Sequence, residues 1–99
     1  NTYLEADERR VAPALYRCIH AIAVALGDGE RDYRRLETDG WRELEAAGMR
    51  PDYLSVRRRD DLEEPLPDLP AEQLVVLAAA HLGRARLIDN LPVDLPPAG

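Results

Sequence analysis

Gln73-Leu74-Val75-Val76-Leu77-Ala78-Ala79-Ala80-His81, followed by Leu82-Gly83-Arg84 and then Ala85-Arg86-Leu87-Ile88-Asp89-Asn90-Leu91-Pro92-Val93, decides the fold class. The first nine residues are almost continuously apolar, the pattern of a strand buried on both faces. The last nine alternate apolar and polar, the pattern of a strand with one wet face. Gly83-Arg84 between them predicts a tight two-residue turn and an antiparallel pairing. Asp52 to Arg57 alternates in the same way, so the chain holds three strands in an antiparallel sheet, with the second the most buried.

Working outward, Val11, Leu15, Ile19, Ile22 and Leu26 recur at steps of three and four, which places them on one face of a helix from Val11 to Leu26. Alanines at 12, 14, 21, 23 and 25 raise its propensity. Pro13 removes a hydrogen-bond donor and crowds the preceding turn, so a kink near Arg9 to Pro13 or a short turn before the main helix is expected. Asp28, flanked by Gly27 and Gly29, stops it. A second helix is predicted from about Glu30 to Ala47, with Tyr33, Leu36, Gly40, Leu44 and Ala47 inward and Gly48 past its end. Gly40 costs about 1 kcal/mol relative to Ala in a helix, so its place on the inner stripe predicts a close approach of the two helices. The few residues between the helices make them an antiparallel hairpin. Asp60 to Glu72, with Pro65, Pro67 and Pro70, reads as an exposed connection containing one short turn around Asp60 to Glu63. The fold class is α+β: an antiparallel two-helix hairpin packed on a three-stranded antiparallel sheet. Residues 1–93 form one domain, and residues 94–99, ending Pro96-Pro97-Ala98-Gly99, are expected to be a disordered tail.

The 99 residues suffice for one modest core. The net charge of −6 argues against a nucleic-acid surface, which needs a basic face. Every basic side chain is arginine, which favours forked pairing with carboxylates. No apolar run approaches the roughly 18 residues that span a bilayer, and the opening lacks the basic-then-apolar order of a signal peptide. The lone Cys18 lies within a helical apolar pattern, where it acts as a small core hydrophobe; no neighbour in sequence is placed to activate it as a nucleophile. The cytoplasm is the expected compartment.

Polar motifs are few. Arg57-Arg58-Arg59 is followed at once by Asp60, Asp61, Glu63 and Glu64, a self-neutralised strand end. His20 and His81 have no Cys or carboxylate at ligand spacing, so no metal site is expected. Trp41 lies beside the inner stripe of the second helix and reads as half-buried packing. By the period of two, Arg86 and Asn90 share one face of their strand and Asp89 takes the other. Arg86 is expected to pair a carboxylate and Asp89 or Asn90 to satisfy backbone donors, fixing the strand's placement, with direct contact to a neighbouring domain as the alternative.

Three separated anchors, Asn1-Thr2-Tyr3-Leu4, Pro51-Asp52-Tyr53-Leu54 and Gly83-Arg84-Ala85-Arg86-Leu87-Ile88-Asp89-Asn90, stand in an order and spacing that resembles the C-terminal domain of the pantothenate synthetase (pantoate–β-alanine ligase) family. The resemblance runs from Asn1 to about Val93. In that family the segment before the first anchor ends in a phosphate-binding Ser-Ser-Arg, so the chain is expected to be a cut-down piece of an enzyme, with only Asn1 adjoining that segment. The resemblance implies a preceding Rossmann-like catalytic domain as partner, with ATP and Mg²⁺, pantoate and β-alanine bound by the whole enzyme and this domain serving as its lid. A homodimer is compatible with it. No catalytic, cofactor-binding or metal-binding residue of the family transfers onto this sequence, and the chain alone is expected to be inactive and to hold no cofactor. His81-Leu82-Gly83-Arg84 resembles the superfamily's His-x-Gly-His only superficially: the second His is absent and Gly83 joins two strands instead of feeding a helix. Without the resemblance, the residues also allow a different reading, a free-standing acidic α+β module for protein interaction or oligomerisation.

Overall fold

The computed structural model describes residues 6–93; the anchor at residues 1–4, Asn1 included, and the expected disordered tail at 94–99 lie outside the described residues. The elements run α1 (Ala6–Val11), α2 (Pro13–Gly27), α3 (Tyr33–Ala46), β1 (Arg50–Arg58), a 3-10 turn (Ala71–Gln73), β2 (Leu74–Leu82) and β3 (Ala85–Pro92). The break expected near Pro13 divides the first helix in two. Pro13 takes the first position of α2, where a missing N–H costs nothing.

Both long helices end the same way. Gly29 has φ 105°; its N–H donates to the Leu26 carbonyl at 3.1 Å and the Glu30 N–H to the Ala25 carbonyl at 3.0 Å. At the end of α3 Gly48 has φ 100°, its N–H donates to Glu45 and the Met49 N–H to Leu44, each at 3.0 Å. These are paired Schellman bonds, closed at the second site by Met49 and Leu44 lying in one core cluster.

The expected start of α3 at Glu30 is corrected to Tyr33. Glu30 accepts the N–H groups of Arg31 and Asp32, both at 3.0 Å, and Asp32 caps the helix by accepting the Arg35 N–H at 3.2 Å. The acidic residues that look like a first helical turn are spent on satisfying its free donors. The backbone N–H groups of Asp32 and Arg31 hold the Glu30 carboxyl below its ordinary range.

The sheet order is β1-β2-β3, antiparallel throughout, with β2 in the centre. β1 starts two residues earlier than expected and carries an irregularity between Pro51 and Tyr53, leaving Asp52 as the extra residue of a bulge. Leu82 pairs with Ala85 across Gly83-Arg84. Gly83 has φ 59° while Arg84 does not have a positive φ, the arrangement of a type II′ hairpin. The hairpin α2–α3 covers one side of the sheet, α2 over β2 and β3 and α3 over β1. Leu54 and Val56, Leu74, Val76, Ala78, Ala80 and Leu82, and Ala85 form the sheet's share of one core with Leu15, Cys18, Ile19, Ile22, Leu26 and Leu44.

The proline-rich connection at 59–73 is strapped to the helix layer. The Arg31 guanidinium donates to the Leu69 carbonyl at 2.9 Å, the Leu26 carbonyl at 2.7 Å and the Glu30 carbonyl at 2.6 Å. The Tyr33 hydroxyl donates to Leu66 at 2.9 Å. The short turn expected after β1 is present, closed by the Leu62 N–H on the Arg58 carbonyl at 2.9 Å.

Gly40 meets the expectation of a close approach. A Cβ there would lie 2.6 Å from Leu54 Cδ2, 3.0 Å from Cys18 Sγ and 3.1 Å from Ile22 Cδ1. Replacement by Leu should therefore lower the unfolding free energy by about 1–3 kcal/mol through overpacking, despite its better helix propensity. Urea melts of the two proteins decide the sign; a stabilised Gly40→Leu would refute the close approach.

Candidate functional site on the open face of the sheet

Strand register fixes which side chains share the face turned away from the helices. Four cross-strand rows result: Arg50, His81 and Arg86; Tyr53, Ala79 and Ile88; Ser55, Leu77 and Asn90; Arg57, Val75 and Pro92. Val75 and Ala79 are buried but do not belong to the helix-side core cluster. They lie on the central strand, and on the flanking strands Tyr53 is 38% and Ile88 60% exposed. No helix among the described residues covers this face. An antiparallel sheet with one wet face ordinarily turns polar residues outward. Here the row Tyr53, Ala79 and Ile88 is wholly apolar, the next sets Leu77 between Ser55 and Asn90, and the end rows carry arginines.

The second and third anchors meet at the first row. The Asp52 bulge presents its carboxylate to Arg86, whose Nε donates at 3.1 Å and Nη2 at 2.8 Å to one oxygen, Oδ2. The pair spans the central strand beside His81. It is the carboxylate partner the sequence called for, and Asp89 fills the other assigned role by accepting the Asn90 N–H at 2.9 Å. Sequence reasoning did not find which carboxylate Arg86 takes, because the partners lie 34 residues apart and the bulge that aims Asp52 has no signature of its own.

The remaining candidates are not brought to this row. Arg58 pairs with Asp60 at 3.5 Å and Asp61 at 3.3 Å, as expected of a self-neutralised run, while Arg57 falls on the open face's last row. His20 stacks on Tyr16, ring centroids 5.6 Å apart, on the outside of α2. Trp41 is half-buried against the core. Cys18 is buried, its thiol donating to the Gly40 carbonyl at 3.5 Å. Burial, followed by the Glu43 carboxylate, pushes that thiol up to about 11. Among the described residues no group of three or more His, Cys, Asp or Glu gathers in metal-binding geometry, and no helix is long and apolar enough to cross a membrane.

Each edge of the sheet is partly occupied. On β1 the Val56 N–H is taken by the Glu37 carboxylate at 2.8 Å and the Arg58 N–H by the Glu63 carbonyl at 2.9 Å. On β3 the Asn90 N–H is taken by Asp89, and Pro92 has none to offer. Strand addition is thus hindered at the Val56–Arg58 end of β1 and the Asn90–Pro92 end of β3. The open face remains.

Comparison with known proteins adds the family context. A family model described as pantoate-beta-alanine ligase matches residues 1–92. A pantothenate synthetase of Thioalkalivibrio sulfidiphilus is 54% identical over 99 residues, covering 100% of this chain and 34% of that protein. One from Stutzerimonas stutzeri is 53% identical over 95 residues, 96% of this chain and 32% of that protein. The crystal structure of pantothenate synthetase from Thermus thermophilus superposes with a TM-score of 0.80 at 35% identity, covering 97% of this chain and 34% of that one. The chain spans about a third of the length of the relatives it matches.

Cys18 supplies a test of the site assignment. At pH 8 the native thiol should resist a thiol-exchange reagent that modifies the urea-unfolded chain completely. Because the folded thiol ionises above its ordinary value of 9.0, the native state holds a proton that the unfolded state releases. Stability should then fall as pH rises from 9.0 towards about 11, and fall less in Cys18→Ala. Rapid modification of the folded protein would reopen the reading of Cys18 as a reactive group.

Proposed function

Because the chain belongs to the pantoate-beta-alanine ligase family, we propose that it is the C-terminal lid domain, residues 1–93, of an ATP-dependent ligase of the bacterial cytoplasm. In the whole enzyme the carboxylate of pantoate attacks the α-phosphorus of ATP, forming pantoyl adenylate and releasing pyrophosphate. The amine of β-alanine then attacks the acyl carbon, giving pantothenate and AMP. A preceding Rossmann-like domain would bind ATP and stabilise the charged phosphates, and this domain would shield the acyl adenylate from water.

The observation that carries the reading is the coverage: nearly the whole chain aligns, and it aligns to only about a third of each ligase. Relatives three times as long also weigh against a free-standing module. The chemistry of the open face agrees with a covering role. It offers arginines, one imidazole and a carboxylate, Asp52, already held by Arg86. Mg²⁺ seeks several oxygen ligands, so these residues do not fit it, and no step of the reaction is assigned to them.

Titration of ATP–Mg²⁺ into the 99-residue chain should give no saturable heat up to millimolar ligand, whereas the longer natural protein binds it and converts pantoate and β-alanine to pantothenate. The acidic first turn of α1, with Asp7 and Glu8, together with the net charge of −6, opposes an anion on the short chain. A micromolar site on the short chain, abolished by replacing Arg57, Arg58 or Arg59, would overturn the lid assignment.

A further inference from the structure

We propose that Glu37 is a guard on the outer edge of β1. Its carboxylate occupies the backbone position at which β1 of a second copy of this chain would otherwise pair, Leu54 to Val56 against the same residues of the partner, about a two-fold axis at Ser55.

The ladder decides which backbone groups are at stake. Just past β1 the Arg59 N–H turns inward to the Gln73 carbonyl at 2.7 Å, whereas the N–H groups of Val56 and Arg58 turn outward to Glu37 and Glu63. Backbone groups alternate in direction along an antiparallel strand, so Leu54, Val56 and Arg58 all present N–H and carbonyl to the outer edge. Arg58 is closed twice, its N–H by the Glu63 carbonyl and its carbonyl by the Leu62 N–H, each at 2.9 Å. At Val56 the closure is a side chain: Glu37 Oε2 accepts the N–H at 2.8 Å, a hydrogen bond strengthened by the carboxylate charge. Among the described residues nothing else closes Leu54 or Val56 on this side. Clefts of about 260 and 340 Å³ open to either side of Glu37, one reaching Ser55 and Arg57, the other Leu54 and Trp41. The edge is therefore reached from solvent except where the carboxylate stands.

Register selects the second copy as the strand that is kept off. Outward residues pair with outward residues, so an antiparallel two-fold at Ser55 sets Leu54 against the partner's Val56 and Val56 against the partner's Leu54, each pair exchanging both of its N–H···O bonds. On the open face Tyr53 then stands opposite the partner's Arg57, a ring against a guanidinium, and Ser55 stands opposite its own copy. No like charges meet among these pairs. Moving the axis to Val56 would call on Arg58, which Glu63 already holds, and moving it to Leu54 would call on the bulge at Asp52. The self-complementary register is the one that needs the Val56 N–H, and Glu37 takes it. An unguarded strand edge is a template for another copy of the same strand.

Glu37→Met fills similar space without an acceptor and tests this. In sedimentation velocity the 99-residue Glu37→Met chain should move toward twice the monomer mass as its concentration rises. Amide exchange locates the contact. In the native chain Val56 should exchange several-fold more slowly than Leu54, and Leu54 should gain no protection at any concentration. In dilute Glu37→Met the Val56 protection should be lost; on concentration it should return, with Leu54 now protected as well. Glu37→Gln keeps an oxygen acceptor and should behave as the native chain does. Adding Ser55→Glu to Glu37→Met sets like charges opposite each other on the axis and should restore the monomer. A Glu37→Met chain that melts cooperatively and stays monomeric would sink the proposal, as would equal association of Glu37→Gln or undiminished association of the double variant. Should Glu37→Met fail to fold, the native chain decides: Val56 exchanging as fast as Leu54 overturns the guard, and slower exchange, retained in Glu37→Gln, supports it.

Discussion

The contact of three elements at Gly40 is the constraint on which the rest of the structure depends. Where most helices present a side chain, α3 presents bare backbone, and Leu54, Cys18 and Ile22 close over it from β1 and α2. The Cys18 thiol hydrogen-bonds the Gly40 carbonyl itself. A glycine in a helix interior sacrifices about 1 kcal/mol of propensity. What it gains is a distance: α3 can lie against α2 and still rest on the first strand, so the helix hairpin forms a single layer thick enough for Leu54, Val56 and Val76 to be buried beneath it. Widening that contact would lift one helix from the sheet, because dense interiors have no free volume with which to absorb a methyl group.

The polar groups at the far end of the hairpin act to the same purpose. Two Schellman closures end α2 and α3 within two residues of their glycines, leaving short connections that cannot wander. Arg31 then takes the α2 terminal carbonyl of Leu26 together with the Leu69 carbonyl. A guanidinium at a helix C-terminus is favoured by the helix dipole, and here the same charge fastens a proline-rich connection that has few contacts of its own. The connection, once fastened, delivers Glu63 to the edge of β1.

Much of this was legible in the sequence, and the parts that were not share a cause. Periodicity gave the three strands and the inner stripe from Leu36 through Gly40 to Leu44, because burial of one face imposes a period on the side chains. The glycines at 29, 48 and 83 marked their turns because each takes a positive φ. The start of α3 was misplaced because Glu30 and Asp32 resemble a helical first turn in composition, whereas in the fold they cap one. The Asp52 bulge, the 3-10 turn before β2 and the Asp52–Arg86 pair were invisible for a stronger reason. Each depends on how distant segments are registered, and a local pattern carries no register between strands separated by the connection at 59–73. The role of Arg86 could be read, as could the side of the strand it occupies; its partner could not.

The open face then follows from the same bulge. Without the extra residue at Asp52, the alternation of β1 would continue unbroken, and the second and third anchors would have no carboxylate to share. The pair is exposed on both sides, 41% and 45%, so its worth in stability is small. Its consequence is local: it places a neutralised pair across the central strand beside His81, while the ladders to β2 set the span of the outer strands.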